Sequence, residues 1–93
     1  MMLKVLTVCI NGMGSSLILK LTVERAFKEL NVEAQIEHID AANFKGHHAD
    51  VIITTPALAK TIGEVENTVM ITTKNFIDVK EIKEKIKEAL NLE

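Results

Sequence analysis

The sequence predicts an α/β fold, a four-stranded parallel β-sheet with helices on both of its faces. Three observations carry the prediction. Short apolar runs, partly β-branched, alternate with stretches of helical periodicity, as successive β-α-β units require. Two of those runs, residues 3–8 and 50–54, are apolar almost throughout, as in parallel strands covered on both faces. The breaks between runs carry capping and turn residues where helices start and stop.

The first run, residues 3–8, reads as a central strand, and residues 9–14 break it with two glycines and an Asn. Ser15 or Ser16 can then N-cap a helix running to about Leu30. Within it Leu19, Val23, Ala26, Phe27 and Leu30 recur at helical spacing and form one face. Residues 33–39 form a second strand, in which Glu33, Gln35 and Glu37 alternate with apolar residues, the pattern of an edge with one wet face. Residues 40–49 are a polar connection with room for one helical turn. Residues 50–54 are a third strand, central in character. Thr55-Pro56 opens the next helix, with Thr as N-cap and Pro at the first helical position, and Gly63 closes it. Residues 68–72 are the fourth strand. Asp78 caps the last helix, with Glu81 completing an Asp capping box and Ile77 and Ile82 forming a hydrophobic staple. Val79, Ile82, Ile86, Ala89 and Leu90 make its buried stripe. Right-handed crossovers distribute the helices over both faces, and a reversal of strand order beside the first strand creates a crevice at its C-terminal end.

Size and charge exclude several classes. The 93 residues, without repeat, low-complexity segment or linker, suit a single domain spanning 1–93. A chain this short buries roughly 60–65% of its unfolded surface, enough for one core. Three Phe and no Trp or Tyr leave the filling of that core to aliphatic side chains. A net charge of -2, with both signs interspersed, lacks the basic stripe of a nucleic-acid binder. No run of about 18–20 apolar residues can span a membrane. The opening Met1-Met2-Leu3-Lys4-Val5-Leu6 is too short for a signal peptide, so the chain is expected in the cytoplasm. A single cysteine, Cys9, forms no internal disulfide and stays reduced there.

The chemistry concentrates in Cys9-Ile10-Asn11-Gly12-Met13-Gly14-Ser15-Ser16. This stretch joins a buried strand to a helix N-terminus, where free N–H groups and the positive end of the dipole favour an anion. Gly12 and Gly14 let the backbone curl close to a phosphate, Asn11 tolerates left-handed conformations, and Ser15 and Ser16 add hydroxyl donors. A thiol in that field has its pKa lowered from about 8.5, in known cases to about 3.5–7.5, and the thiolate is the nucleophile. The donors that stabilise a thiolate also stabilise a phosphoryl group on sulfur. The plainer alternative is Cys9 as a small buried hydrophobe beside a tight turn.

Other motifs do not match. A Walker loop needs Gly-Lys-Ser/Thr. The dinucleotide fingerprint needs Gly where Leu17 stands, although Asp40 follows the second strand suitably. A thioredoxin-like pair needs a second Cys. A tyrosine-phosphatase loop places Arg six residues after its Cys, where this chain has Ser15. Without that guanidinium the charge on a departing phosphoryl group is poorly held, which suits a carrier more than a hydrolase.

With these residues the chain resembles the IIB components of the bacterial phosphoenolpyruvate-dependent sugar phosphotransferase system, nearest to the ascorbate type with the galactitol type beside it. The resemblance covers nearly the whole chain. It is strongest in Val5-Leu6-Thr7-Val8-Cys9, in Asn11-Gly12-Met13-Gly14-Ser15-Ser16 and in Ala49-Asp50-Val51-Ile52-Ile53. It implies one type-2-like IIB domain, with a Rossmann-like or flavodoxin-like core resembling that of the low-molecular-weight tyrosine phosphatases. It also implies that Cys9 is the phosphorylated residue and that Ile10 through Ser15 form the phosphate loop. A phosphohistidine on a IIA partner would donate the phosphoryl group. A sugar held by a membrane IIC partner, ascorbate in the type named, would accept it at the inner membrane face. No cofactor or metal is implied. A phosphatase-like hydrolase and a non-catalytic anion-binding regulatory module are the competing functions.

Several other residues have a second reading. Leu17 and Leu21 lie opposite the buried face of their helix and, with Met13, form a candidate apolar docking patch for IIA and IIC. Packing against the last helix is the alternative. Thr54 and Thr55 stand near the loop, but strand-end and capping roles explain them. His47 and His48 with Asp50 match no strong metal spacing and read as a solvated connection. His38 reads as an edge or strand-end residue. The Lys/Glu alternation over residues 80–88 reads as an exposed helix face.

Overall fold

The computed structural model describes residues 2–9, 15–40, 48–63, 65, 67–74 and 77–91, with Cys9, Ser15, Ser16 and Asp40 described by their backbones. The elements run β1 (Leu3–Cys9), α1 (Ser15–Glu29), β2 (Ala34–Asp40), β3 (Val51–Thr54), α2 (Pro56–Ile62), β4 (Val69–Thr72) and α3 (Val79–Ala89). The strands form one four-stranded parallel sheet in the order β2-β1-β3-β4. The chain leaves β1 for β2 on one side and returns to β3 on the other. In open α/β sheets ligands bind at such a reversal, which here lies at the C-terminal ends of β1 and β3.

Period-2 alternation along the strands divides the interior into two layers. On one face Val5, Ile36, Val51, Ile53 and Ile71 meet Leu19, Val23, Ala26 and Phe27 of α1 and Ile82 and Ile86 of α3. On the other Leu6, Val8 and Ile52 pack with Ala49, Ile39, Met70, Val65 and Ile62 of α2. The predicted stripe of α1 is therefore its buried face, with Leu30 partly buried against the same layer. The edge assignment of residues 33–39 also stands: Gln35 and Glu37 are exposed on β2, the outermost strand on its side, and Glu33 is exposed just before it.

The cap signals of α2 are realised. Thr55 has extended backbone, and its side chain accepts from the Leu58 N–H at 3.3 Å. Gly63 has φ 75 and returns its N–H to Ala59 O. A left-handed φ is easiest without a Cβ, which explains a glycine there. The cap of α3 is half of the expected box. Asp78 accepts from the Glu81 N–H at 3.0 Å, but Glu81 Oε1 accepts from Thr73 Oγ1 and pairs with Lys85 Nζ at 3.4 Å. A charged neighbour one turn on competes for the carboxylate that would have reached back.

Three further expectations change. Ile77 is 72% exposed while Ile82 is fully buried, so the predicted staple is not closed. Ala89 is exposed rather than part of the stripe, and Leu90 provides the final contact with the core. Ser15 and Ser16 form the first two positions of α1 instead of preceding it. The short helix considered within residues 40–49 lies largely outside the described residues.

Polar contacts tie α1 to α3 at the surface. Glu29 accepts from Lys83 Nζ at 3.0 Å and from Arg25 Nε at 3.3 Å. The Lys83 hydrogen bond, ahead of the Arg25 contact, holds the Glu29 carboxyl below its ordinary value of 4.5. A carboxyl with a depressed folded-state pKa stabilises the fold above its unfolded value, and this is lost as pH falls through the folded value. Glu29→Gln should therefore lower the urea midpoint slightly at pH 7, with a smaller difference at pH 3. Urea melts of both proteins at the two pH values check this.

Candidate functional site

The site is assembled at the C-terminal rim of the sheet. Cys9 is the last residue of β1, in register with Asp40 of β2. Helix α1 begins at Ser15, so five residues connect strand end to helix N-terminus. Those five, Ile10, Asn11, Gly12, Met13 and Gly14, lie outside the described residues. What brackets them suits an anion. The first-turn N–H groups of α1 have no intrahelical partners, and the helix carries no acidic residue in its first turn to offset the positive end of its dipole. In α3, by contrast, Asp78 caps the end and Glu81 lies in the first turn.

The floor of the rim is made of buried threonines. Thr7, Thr54 and Thr73 are all fully buried. Thr7 Oγ1 donates to Glu37 O at 3.4 Å, bracing β1 against β2. Thr54 Oγ1 donates to Val8 O at 2.7 Å, bracing β1 against β3. Thr55 caps α2. The hydroxyls of Thr54 and Thr55 are thus engaged within the fold, as strand-end and capping roles require.

The outer face of α1 is apolar and exposed. Leu17, Ile18 and Leu21 retain 50%, 45% and 57% of their accessible surface. Leu17 and Leu21 are therefore not packed under α3, and they share a face at helical i, i+4 spacing. Ile18 extends this face and was not anticipated. Its i, i+1 relation to Leu17 was the available signal. Met13, the third member of the expected patch, lies outside the described residues.

The histidines offer little. His38 and His48 are exposed, and His47 lies outside the described residues. Asp50 Oδ2 accepts from the Lys4 N–H at 2.9 Å, so its carboxylate caps the backbone where β1 meets β3. Among the described residues, no three His, Cys, Asp or Glu side chains group as metal ligands do. A groove of about 580 Å³, lined by Met2, Glu24, Phe27, Lys28, Asn31 and Glu33 among others, lies at the opposite end of the sheet. It sits at the C-terminus of α1, the negative end of the dipole, and so does not suit a phosphate. No helix among the described residues is long and apolar enough to cross a membrane.

Comparison with known proteins is consistent across methods. The profile of the lactose/cellobiose-specific IIB subunits of the PTS system matches residues 4–88. The ascorbate-specific PTS system EIIB component of Mycoplasma pneumoniae is 32% identical over 90 residues, covering 95% of each chain. Proteins of the same name from Salmonella typhimurium and Escherichia coli O157:H7 are 26% identical over 92 residues, 97% of this chain and 91% of theirs. Among solved structures, the lactose-specific IIB component domain of the phosphotransferase system from Streptococcus pneumoniae superposes with a TM-score of 0.53 at 18% identity. The match covers 98% of this chain and 93% of that one. At that identity the likeness concerns the fold.

Proposed function

This chain belongs to the family of lactose/cellobiose-specific IIB subunits of the phosphotransferase system, and on that premise we propose that Cys9 is the residue on which its phosphoryl group travels. The family's work is phosphoryl carriage in sugar uptake, and the chain is a phosphotransferase component of that kind. The observation that carries the assignment to Cys9 is positional. The chain's one cysteine ends a central strand beside the reversal of strand order, separated by five residues from a helix whose first turn carries no acidic side chain.

The chemistry follows in two balanced steps. The Cys9 thiolate attacks the phosphorus of a phosphohistidine on IIA. An S–P bond forms, the N–P bond breaks, and the imidazole nitrogen leaves with the electron pair. A sugar hydroxyl held by IIC then attacks the same phosphorus, giving its proton to solvent as the S–P bond breaks and the thiolate returns. Ile10, Asn11, Gly12, Met13, Gly14, Ser15 and Ser16 form the cradle, with backbone and hydroxyl donors serving thiolate and phosphoryl alike. Arg is missing from the cradle, so water is a poor competitor for the phosphoryl group.

The family description names lactose and cellobiose, whereas the curated relatives bear the ascorbate name. The ascorbate reading is preferred, because the 32% relative spans 95% of both chains, while a family profile covers many specificities. The whole chain serves as one IIB domain, working in the cytoplasm and meeting the membrane through IIC.

Leu17 and Leu21, with Met13, form the surface on which IIA and IIC dock in turn. Leu17→Glu or Leu21→Glu should slow transfer from IIA roughly 10-fold while changing stability by under about 0.5 kcal/mol, since neither side chain is in the core. Stopped-flow transfer alongside thermal melts checks this, and a large drop in melting temperature would instead mean that the residues are structural. The assignment as a whole is tested by incubating the protein with phosphoenolpyruvate, the general phosphotransferase proteins and a cognate IIA. One phosphoryl adduct on Cys9 is expected. Release of phosphate from an aryl phosphate would favour a hydrolase.

A further inference from the structure

We propose that Thr54 is a positioning residue for Cys9, acting through the carbonyl of Val8. The inference rests on the carrier reading above. Val8 C=O and the Cys9 N–H belong to one peptide unit, so whatever fixes that carbonyl fixes the plane leading into Cys9. On the β2 side the ladder holds β1 all the way to Cys9↔Asp40. On the β3 side the register ends at Thr7↔Ile53, one residue short of Val8. Beyond that point a side chain holds the strand, for Thr54 Oγ1 donates to Val8 O at 2.7 Å across 46 positions of sequence. The hydroxyl is fully buried, so no water competes for the bond.

Thr54 is itself anchored. The Thr73 N–H donates to Thr54 O at 2.9 Å, and Thr73 Oγ1 donates to Glu81 Oε1 on α3 at 3.3 Å. A hydrogen-bonded series therefore crosses the rim from α3 through Thr73, the residue after β4, and Thr54 of β3 to the peptide before Cys9. Both half-reactions need the sulfur in line, first with a departing nitrogen and then with an attacking oxygen, and a displacement near 1 Å can cost on the order of 100-fold in rate. A mount fixed from both neighbouring strands serves both steps.

The test compares Thr54→Val, which keeps the shape and loses the donor, with Thr54→Ser, which keeps the donor. Thr54→Ala, which removes the donor with less bulk, is assayed beside them, and Ile52→Val serves as a destabilised control from the same strand. Three quantities are read: single-turnover transfer from phosphorylated IIA, affinity for IIA, and the pH profile of Cys9 alkylation by iodoacetamide. Thr54→Val and Thr54→Ala should transfer about 10- to 100-fold more slowly with unchanged IIA affinity and a shifted alkylation profile. Thr54→Ser should stay within about threefold of the parent, and Ile52→Val should transfer at the parent rate despite its lower melting temperature. Parent-like transfer in the Val and Ala variants, equal slowing in Ile52→Val, or no rescue by Ser overturns the proposal. If the parent protein accepts no phosphoryl group, the carrier reading falls. The alkylation profile then decides positioning alone: a shift in Val and Ala that Ser restores supports it, and an unshifted profile overturns it.

Discussion

Cys9→Ser is expected to abolish phosphoryl transfer while leaving the fold intact. Losing a covalent nucleophile lowers turnover by more than about 10³-fold, because binding and positioning remain but no bond can form. A serine hydroxyl is poorly ionised at neutral pH unless an adjacent base activates it, whereas a thiol at a helix N-terminus is its own ionised nucleophile. The side chains described at the ends of β3 and β4, Thr54 and Thr73, are hydroxyls and not bases that would activate a serine. The exchange of sulfur for oxygen hardly alters bulk, and the melting temperature should move by no more than a few degrees. Phosphoryl incorporation from phosphorylated IIA, followed by mass spectrometry beside a thermal melt, checks both halves. A stoichiometric adduct in Cys9→Ser would remove Cys9 from its assigned role.

The largest stability effect is expected from Phe27→Ala. Phe27 is 1% exposed and belongs to the layer between the sheet, α1 and α3. Its carbonyl also accepts from the Val32 N–H at 3.1 Å, where the chain turns from α1 into β2. Truncating a buried Phe to Ala costs about 3–5 kcal/mol, from lost transfer energy plus the cavity left behind. Small domains hold roughly 5–15 kcal/mol in total, so a large share of the native population is at risk. At roughly 4–8 °C per kcal/mol for a domain of this size, the melting temperature should fall by more than about 12 °C. Calorimetry of the two proteins reads this directly, and a fall of only one or two degrees would mean that the layer repacks around the gap. Leu17→Ala on the outer face of the same helix should be nearly silent in that assay, because its side chain is already half exposed.

The contrast between Phe27 and Leu17 shows which parts of the molecule were legible in the sequence. The α1 stripe is legible because a helix places residues three and four apart on one face whatever lies above it. The strands were found within a residue or so of their ends, and the Thr55-Pro56 and Gly63 caps at their positions, because those signals are local. Ile77 and Ala89 depart from their local pattern for the opposite reason. A staple and the last turn of a stripe depend on how closely the next layer approaches, which no pattern within one helix reports. Ile18 flanks the stripe instead of falling opposite it, so periodicity alone does not mark it as exposed.

The same division applies at the rim. The sequence by itself determined that a lone cysteine ends a buried strand and is followed by glycines, serines and a helix start, since all of these lie within eight consecutive residues. It also carried the resemblance that named the phosphotransferase chemistry. The tertiary structure alone decided what holds that cysteine's strand. Val8 and Thr54 are 46 positions apart, and only the pairing of β1 with β3 brings a hydroxyl within 2.7 Å of the carbonyl preceding Cys9. Local pattern fixes which residues share a face, but a hydrogen bond between distant residues exists only once the sheet has closed.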